Sequence, residues 1–514
     1  MSTDRITSRT PMATLTGGVL VIGLALAGCS GGSEWDAPGG GNDAASEEGY
    51  AQPGLPDSSD DDRPESLESS AADRGMTDPA EDALSTFALD IDTGSYTRFR
   101  DAITQGGYVD PQEVRTEEFI NYFAQDYPTP ADGLAVHLDA TTLPFDSERL
   151  VVRVGIASAP TPSILRDDVD LVLVVDCSGS MSDGGKMATT QGALRTLVSS
   201  LRPSDHVAMV CYSTEAEVLL EPTAVSDEGR IMAAIDELRP LGSTNAAAGL
   251  ELGYDLAAEM RTQGRMTRVI LISDGVANVG ETDPDGILSR ISTEATSGVN
   301  LVSVGVGMDS YNDYLLEQLA DTGDGWHVYV DGPAEAERVF STDLTGSLVV
   351  AATDARAQVE FDPAQVAGYR LIGYENRAIA DEDFRNDDVD GGEVFAGHTT
   401  TALYEVTLRE GLSRATFVRA TVRYQDDDGR AVERDASLAG TDCTTSLRDA
   451  SPRLYQDLVI ALLTDHLVGG PWSESISLAE LQEAAAPLPG ALDHDPDVVQ
   501  LVELIEAIEA IDYY

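Results

Sequence analysis

The stretch DLVLVVDCSGS, Asp170 to Ser180, decides how this chain folds. Its five consecutive apolar residues, Leu171 to Val175, suit a strand buried on both faces. The run stops at Asp176, Ser178 and Ser180, spaced two apart, with Gly179 letting the backbone turn. An open α/β sheet binds its ligands at the carboxyl ends of its strands, where these three small oxygen-bearing side chains fall.

Working outward, strand and helix patterns alternate from 167 to 350, the signature of a parallel sheet with helices on both faces. Strands are expected at Val207–Tyr212, Val218–Leu220, Arg268–Ile272, Leu301–Gly305 and Trp326–Val330. Helices are expected at Met187–Leu201, Asp227–Leu238, Ala246–Met260, Pro284–Thr296, Tyr311–Ala320 and Ala334–Leu348. About 180 residues with five or six core strands make one doubly wound domain. The flanks differ. Segments 134–166 and 351–445 read as strands, and an Asp428-Gly429 turn closes a hairpin in the second, so one β-sandwich interrupted by the α/β domain is expected. Segment 83–133 mixes a strand with two helices, and 446–514 reads as a helical segment, with apolar residues at helical spacing in Pro452–Leu467 and Asp497–Ile511.

Three loops of the α/β unit share one chemistry: Asp176-x-Ser178-x-Ser180, Thr244 in Gly-Ser-Thr-Asn, and Asp274 in Ser-Asp-Gly. Each motif alone is common in a chain rich in Asp and Ser. Their order, each at a strand end or before a helix, resembles the metal-ion-dependent adhesion site (MIDAS) of the von Willebrand factor type A (VWA) family. The resemblance implies Mg²⁺ (or Mn²⁺) held by Ser178 and Ser180, with Thr244 bound directly or through water. Asp176 and Asp274 would mainly hold waters and orient the serines. Magnesium's preference for small oxygen ligands, and its reluctance to shed water, agrees with that set. Mostly neutral ligands leave the ion attractive to a carboxylate on a protein partner, which is how the family binds.

Competing chemistries fit less well. A phosphatase of the haloacid dehalogenase type needs a second Asp where Ser178 stands, and Lys186 lies too close in sequence to serve as its phosphate-binding lysine. Ser178 also lacks the Gly-x-Ser-x-Gly elbow of a serine hydrolase. The acidic loop Asp381–Gly392 imitates half an EF loop through Asn386, Asp388, Asp390 and Gly391. Its twelfth position is Gly397 rather than Glu, so a solvated loop is the better reading. The six histidines have no metal-ligand spacing.

The 514 residues carry 90 acidic against 32 basic side chains, a formal net charge of −58. So negative a surface repels nucleic acid and anionic lipid and gathers cations. Lys186 is the single lysine; every other basic residue is arginine.

At the start, Arg5 and Arg9 precede an apolar stretch, Leu15 to Ala27, as in an export signal covering 1–28. It ends Leu26-Ala27-Gly28-Cys29, similar to the lipobox of bacterial lipoproteins, which implies lipidation of Cys29 and anchoring without a spanning helix. Ser30 after the cysteine points to the outer membrane if the cell is diderm. Residues 29–82 are rich in Gly, Ser, Pro and acid, the composition of a disordered acidic tether. Cys177, Cys211 and Cys443 are too few for a disulfide framework. Cys177 and Cys211 fall on neighbouring strands and could meet, but their apolar surroundings favour buried free thiols.

Beyond the α/β unit, STFALDIDTGSY (85–96), VRTEEFINYF (114–123), RLIGYENR (370–377) and TTALYEVT (400–407) resemble the YfbK-type VWA lipoproteins of bacteria. The expectation is an α/β VWA domain inserted in a β-sandwich, exported, lipid-anchored in the cell envelope and not an enzyme. It would bind a protein or other acidic partner through the metal. An envelope scaffold with an idle metal site and a metal-dependent hydrolase remain as alternatives.

Overall fold

The computed structural model describes residues 75–508, apart from 90, 161–165, 263, 276–283, 308–315, 321, 324, 375–376, 387–388, 390 and 427–428. The expected signal (1–28), Cys29, most of the tether, Asp388 and Asp390 lie outside the described residues.

The chain opens with β1 (Leu84–Ala88), α1 (Gly94–Thr104), α2 (Thr116–Tyr122), β2 (Leu134–Thr142) and β3 (Arg149–Ser158). The α/β unit then runs β4 (Asp168–Asp176), α3 (Lys186–Ser200), β5 (His206–Tyr212), β6 (Ala216–Ala224), α4 (Glu228–Glu237) and α5 (Ala246–Met260). It continues with β7 (Arg265–Ser273), α6 (Pro284–Thr296), β8 (Val299–Val306), β9 (Trp326–Val330) and α7 (Pro333–Arg338). The helix expected over Ala334–Leu348 is not uniform. After α7 it widens into a π turn at Val339–Asp343 and closes with a last turn at Leu344–Gly346.

Among the described residues this unit's sheet has the order β6-β5-β4-β7-β8-β9. Every pairing is parallel except β5 with β6. β4 sits inside it, and its alternation sorts the side chains. Leu171, Leu173 and Val175 pack with Leu194 and Leu197 of α3, Ile231 of α4 and Val339. Val172 and Val174 face Leu250, Tyr254 and Ala257 of α5. A Cβ at Gly253 would come within 2.4 Å of Val174 Cγ2, so only glycine lets α5 lie this close to the sheet.

After the α/β unit come β10 (Val350–Phe361), β11 (Val366–Ile372), β12 (Ala378–Ile379), β13 (Gly392–Phe395), β14 (Thr399–Leu408), β15 (Thr416–Gln425) and β16 (Ala431–Ala439). One sheet has the order β12-β1-β10-β15-β16, with β13 also on β10; the other is β11-β14-β3-β2. Phe87, Val359 and Phe361 of the first share a core with Val152, Val154 and Tyr404 of the second. This is the sandwich that the α/β unit interrupts. It also takes in β1, which the sequence places with the N-terminal segment: β1 pairs with β10, Phe87 opposite Ala357, a contact too distant in sequence for any local pattern to announce.

The tail forms α8 (Pro452–Val468), α9 (Leu478–Ala485) and α10 (Pro496–Ile508). These helices and the N-terminal α1 and α2 enclose one core, with Phe99, Phe119, Leu458, Trp472, Leu501 and Ile505 inside. The Asp381–Gly392 loop is organised by a side chain of the protein itself. Buried Arg356 donates to the carbonyls of Asp383 (3.1 Å), Asn386 (2.8 Å) and Val389 (2.6 Å), taking up oxygens that a calcium loop could have turned onto its ion. No described helix is long and apolar enough to cross a membrane.

Candidate functional site

The carboxyl ends of β4 and β7 and the loop before α5 meet at one rim of the parallel sheet. Asp176, the last residue of β4, is fully buried and accepts from the Ser178 backbone N–H at 2.7 Å. Its other oxygen accepts from Ser273 Oγ (2.9 Å) and the Tyr212 hydroxyl (3.3 Å). Burial raises its pKa, against the lowering effect of the Ser178 and Ser273 hydrogen bonds. These bonds fold the loop back so that Ser178 Oγ and Ser180 Oγ lie 2.9 Å apart. Ser180 Oγ in turn donates to Asp274 Oδ1 at 2.9 Å.

Asp176, Ser178, Ser180 and Asp274, expected at one site, are thus linked by a continuous run of hydrogen bonds from two loops. Thr244 reaches the same rim through its own loop. Leu241 N–H donates to the Cys177 carbonyl, and Gly179 N–H donates to the Gly242 carbonyl at 3.1 Å. Thr244 is buried, and Asn245 caps α5 by accepting from Ala248 N–H at 3.1 Å.

Three features were not anticipated. Lys186 Nζ donates to Asp274 Oδ2 at 2.9 Å, so the lysine set aside as a phosphate ligand belongs to this rim. Its being the only lysine was the available signal. Ser273 and Tyr212 hold Asp176, and nothing in their local sequence marks that role. Cys177 and Cys211, expected as free thiols, are joined by a disulfide with Cα atoms 5.8 Å apart. The parallel register sets Val175 beside Cys211 and brings the next turn of chain over it, an adjacency that apolar surroundings do not reveal.

Among the described residues no cluster of three or more His, Cys, Asp and Glu side chains is placed to hold a metal ion. The rim offers a different donor set, in which hydroxyls outnumber the carboxylates.

Three family models match this chain. The von Willebrand factor type A domain covers residues 170–340, a von Willebrand factor model covers 65–153, and "Uncharacterized protein YfbK, C-terminal" covers 346–508. The uncharacterized protein YfbK of Escherichia coli (strain K12) is 37% identical over 345 residues, which is 65% of this chain and 60% of that protein. This chain is a YfbK-type VWA protein. The chain is also similar to the human inter-alpha-trypsin inhibitor heavy chain H4, 28% identical over 162 residues, covering 30% of this chain and 17% of that one. The YfbK-type chain therefore spans less than two thirds of either relative. Among solved structures, a von Willebrand factor type A protein from Catenulispora acidiphila aligns with TM-score 0.44 and 15% identity, covering 74% of this chain and 91% of that one. In the YfbK-type chain the VWA match contains all five expected site residues, Asp176 to Asp274.

Proposed function

We propose that this YfbK-type protein binds a carboxylate-bearing protein partner through Mg²⁺ (or Mn²⁺) held at Ser178, Ser180 and Thr244, with Asp176 and Asp274 behind them. One observation carries the reading. Ligands about 2.1 Å from an octahedral ion stand about 3.0 Å from their neighbours. Ser178 Oγ and Ser180 Oγ stand 2.9 Å apart, so these two oxygens are already spaced as an edge of such a shell, with Asp274 Oδ1 holding Ser180 Oγ from behind at 2.9 Å.

Bound directly by mostly neutral donors, the ion would remain attractive to an incoming carboxylate. Asp176 fixes the Ser178 backbone and so aims both serine hydroxyls. The Leu241–Cys177 and Gly179–Gly242 backbone hydrogen bonds hold the loops of Ser178 and Thr244 together, and the disulfide ties the Ser178 loop to β5. Catalysis finds less support. A hydrolase needs a free general base beside the ion. Asp176 already accepts three hydrogen bonds and Asp274 is engaged by Lys186 and Ser180. Export, lipidation of Cys29 and display at the envelope complete the proposal, and they rest on Leu26-Ala27-Gly28-Cys29 and the basic, then apolar, stretch before it.

Isothermal calorimetry with Mg²⁺ tests the site. The wild-type protein should take up one ion with measurable heat and Asp176→Ala should take up none. A wild-type protein that binds no Mg²⁺ ends the reading. Metal binding without Mg²⁺-dependent retention of any envelope protein would leave the site idle and favour the scaffold alternative.

A further inference from the structure

We infer that Lys186 tunes this site, giving up affinity for the divalent ion in order to leave the loaded site positively charged toward a partner's carboxylate. The inference rests on the metal reading above. Its starting point is a residue that local rules do not explain. The chain uses arginine for every basic position but this one. Lys186 is also the first residue of the fifteen-residue helix α3, whose cap, Gly185, offers no side chain and whose first turn holds no acid. A cation at a helix N-terminus opposes the helix dipole, so α3 gains nothing from it. A residue that breaks a local rule without helping its own element points to a role elsewhere.

The surroundings show where that role lies. Gly184 and Gly185, at φ +57° and +79°, reverse the chain so that α3 starts beside the rim. The lysine stem then runs past Gly307 at the end of β8, where an added Cβ would stand 2.9 Å from Cε. A slender unbranched stem fits this passage; a planar guanidinium is bulkier at its tip. The ammonium ends on Asp274 Oδ2 at 2.9 Å, on a carboxylate that is itself almost wholly buried.

Counting charge then gives the consequence. Asp176 and Asp274 carry two negative charges, and the three groups donating to Asp176 are neutral. With Lys186 present the rim is at −1, a divalent ion takes it to +1, and one partner carboxylate brings it to zero. Without Lys186 the ion alone neutralises the rim, and an arriving carboxylate adds an unmatched negative charge. Lys186 should therefore weaken ion binding and strengthen carboxylate binding by the same electrostatic effect. It is a positioning and charge-setting residue rather than a ligand.

Lys186→Met keeps the unbranched stem beside Gly307 and removes the charge; Lys186→Gln removes the charge and keeps a hydrogen-bond donor. By calorimetry each folded variant should bind Mg²⁺ about tenfold more tightly than wild type. Each variant loaded with Mn²⁺ should also need about tenfold more acetate, as the probe carboxylate, to lower the water-proton relaxation enhancement. Unchanged or weaker Mg²⁺ binding in both variants overturns the inference. If wild type still binds Mg²⁺ and Asp176→Ala does not, the metal reading survives that result. A wild type that takes up no Mg²⁺ sinks both.

Discussion

Two buried aspartates at opposite ends of the same parallel sheet are treated in opposite ways. Asp205, just before β5 at the amino end, is gripped by Arg166 through both carboxylate oxygens, at 3.1 and 2.6 Å. The backbone N–H groups of Val169 (3.0 Å) and Arg202 (2.7 Å) add to the grip. Burial alone would raise its pKa, but the Arg166 contacts and these N–H groups outweigh that and the carboxyl is held low. Its neighbours Asp168 and Asp170 meet Arg202 and Arg265. Asp176, at the carboxyl end, is equally buried, has only neutral donors and is raised. A charge closed off by arginines serves the fold. A carboxylate left short of positive charge at a rim of hydroxyls suits a cation from solution.

The comparison breaks most clearly under the same substitution at both ends. Asp205→Asn leaves Arg166 buried without its counter-charge and should cost about 3–5 kcal/mol in denaturant unfolding, with Mg²⁺ binding kept in the protein that remains folded. Asp176→Asn should change stability by about 1 kcal/mol or less, because no buried cation is orphaned. Equal losses at both positions would remove the contrast. The pH dependence follows from the lowered Asp205 pKa. Its contribution is present above the unfolded carboxyl value, about 4, and is lost as pH falls through the lower folded value. Asp205→Asn should therefore unfold in acid with a shallower loss of stability than wild type.

Next in size is the covalent tie that the rim has and the amino end lacks. Cys177–Cys211 closes a loop with a sequence separation of 34. Removing it as Cys177→Ala with Cys211→Ala should cost about 2–4 kcal/mol. Because Cys177 lies between Asp176 and Ser178, Mg²⁺ affinity should fall as well, which calorimetry on the folded variant reads. A stability loss with unchanged affinity would make the bond purely structural.

What could be read from the sequence divides along the same lines. The apolar run Leu171 to Val175, the alternating strand and helix patterns around it and the strand-rich flanks are local, and the sheet and the interrupted sandwich follow from them; the five rim residues were grouped by the resemblance that their three motifs carry. Arg166 with Asp205, β1 with β10, Lys186 with Asp274 and Cys177 with Cys211 are pairings between distant segments. No window of sequence contains both partners. Helix α9, LAELQEAA, was missed for a different reason: it is short, with only Leu481 and Ala485 buried, and its start is fixed by a Ser477–Glu480 capping box rather than by an apolar stripe.

The smallest expected effect on stability tests what the rim presents to a partner. Leu241 is 67% exposed, the most exposed of the large apolar side chains described, yet its backbone N–H is fixed to the Cys177 carbonyl beside the serines. An apolar side chain held in water next to a proposed ion site gains nothing for the fold, whereas a bound partner would cover it. Leu241→Ser should leave stability within about 0.5 kcal/mol and Mg²⁺ affinity unchanged. Mg²⁺-dependent retention of an envelope partner should drop by about tenfold, the effect of losing one buried leucine side chain from an interface. Retention as strong as wild type would place the partner's apolar contacts elsewhere on the rim and leave the carboxylate–ion contact as the part still standing.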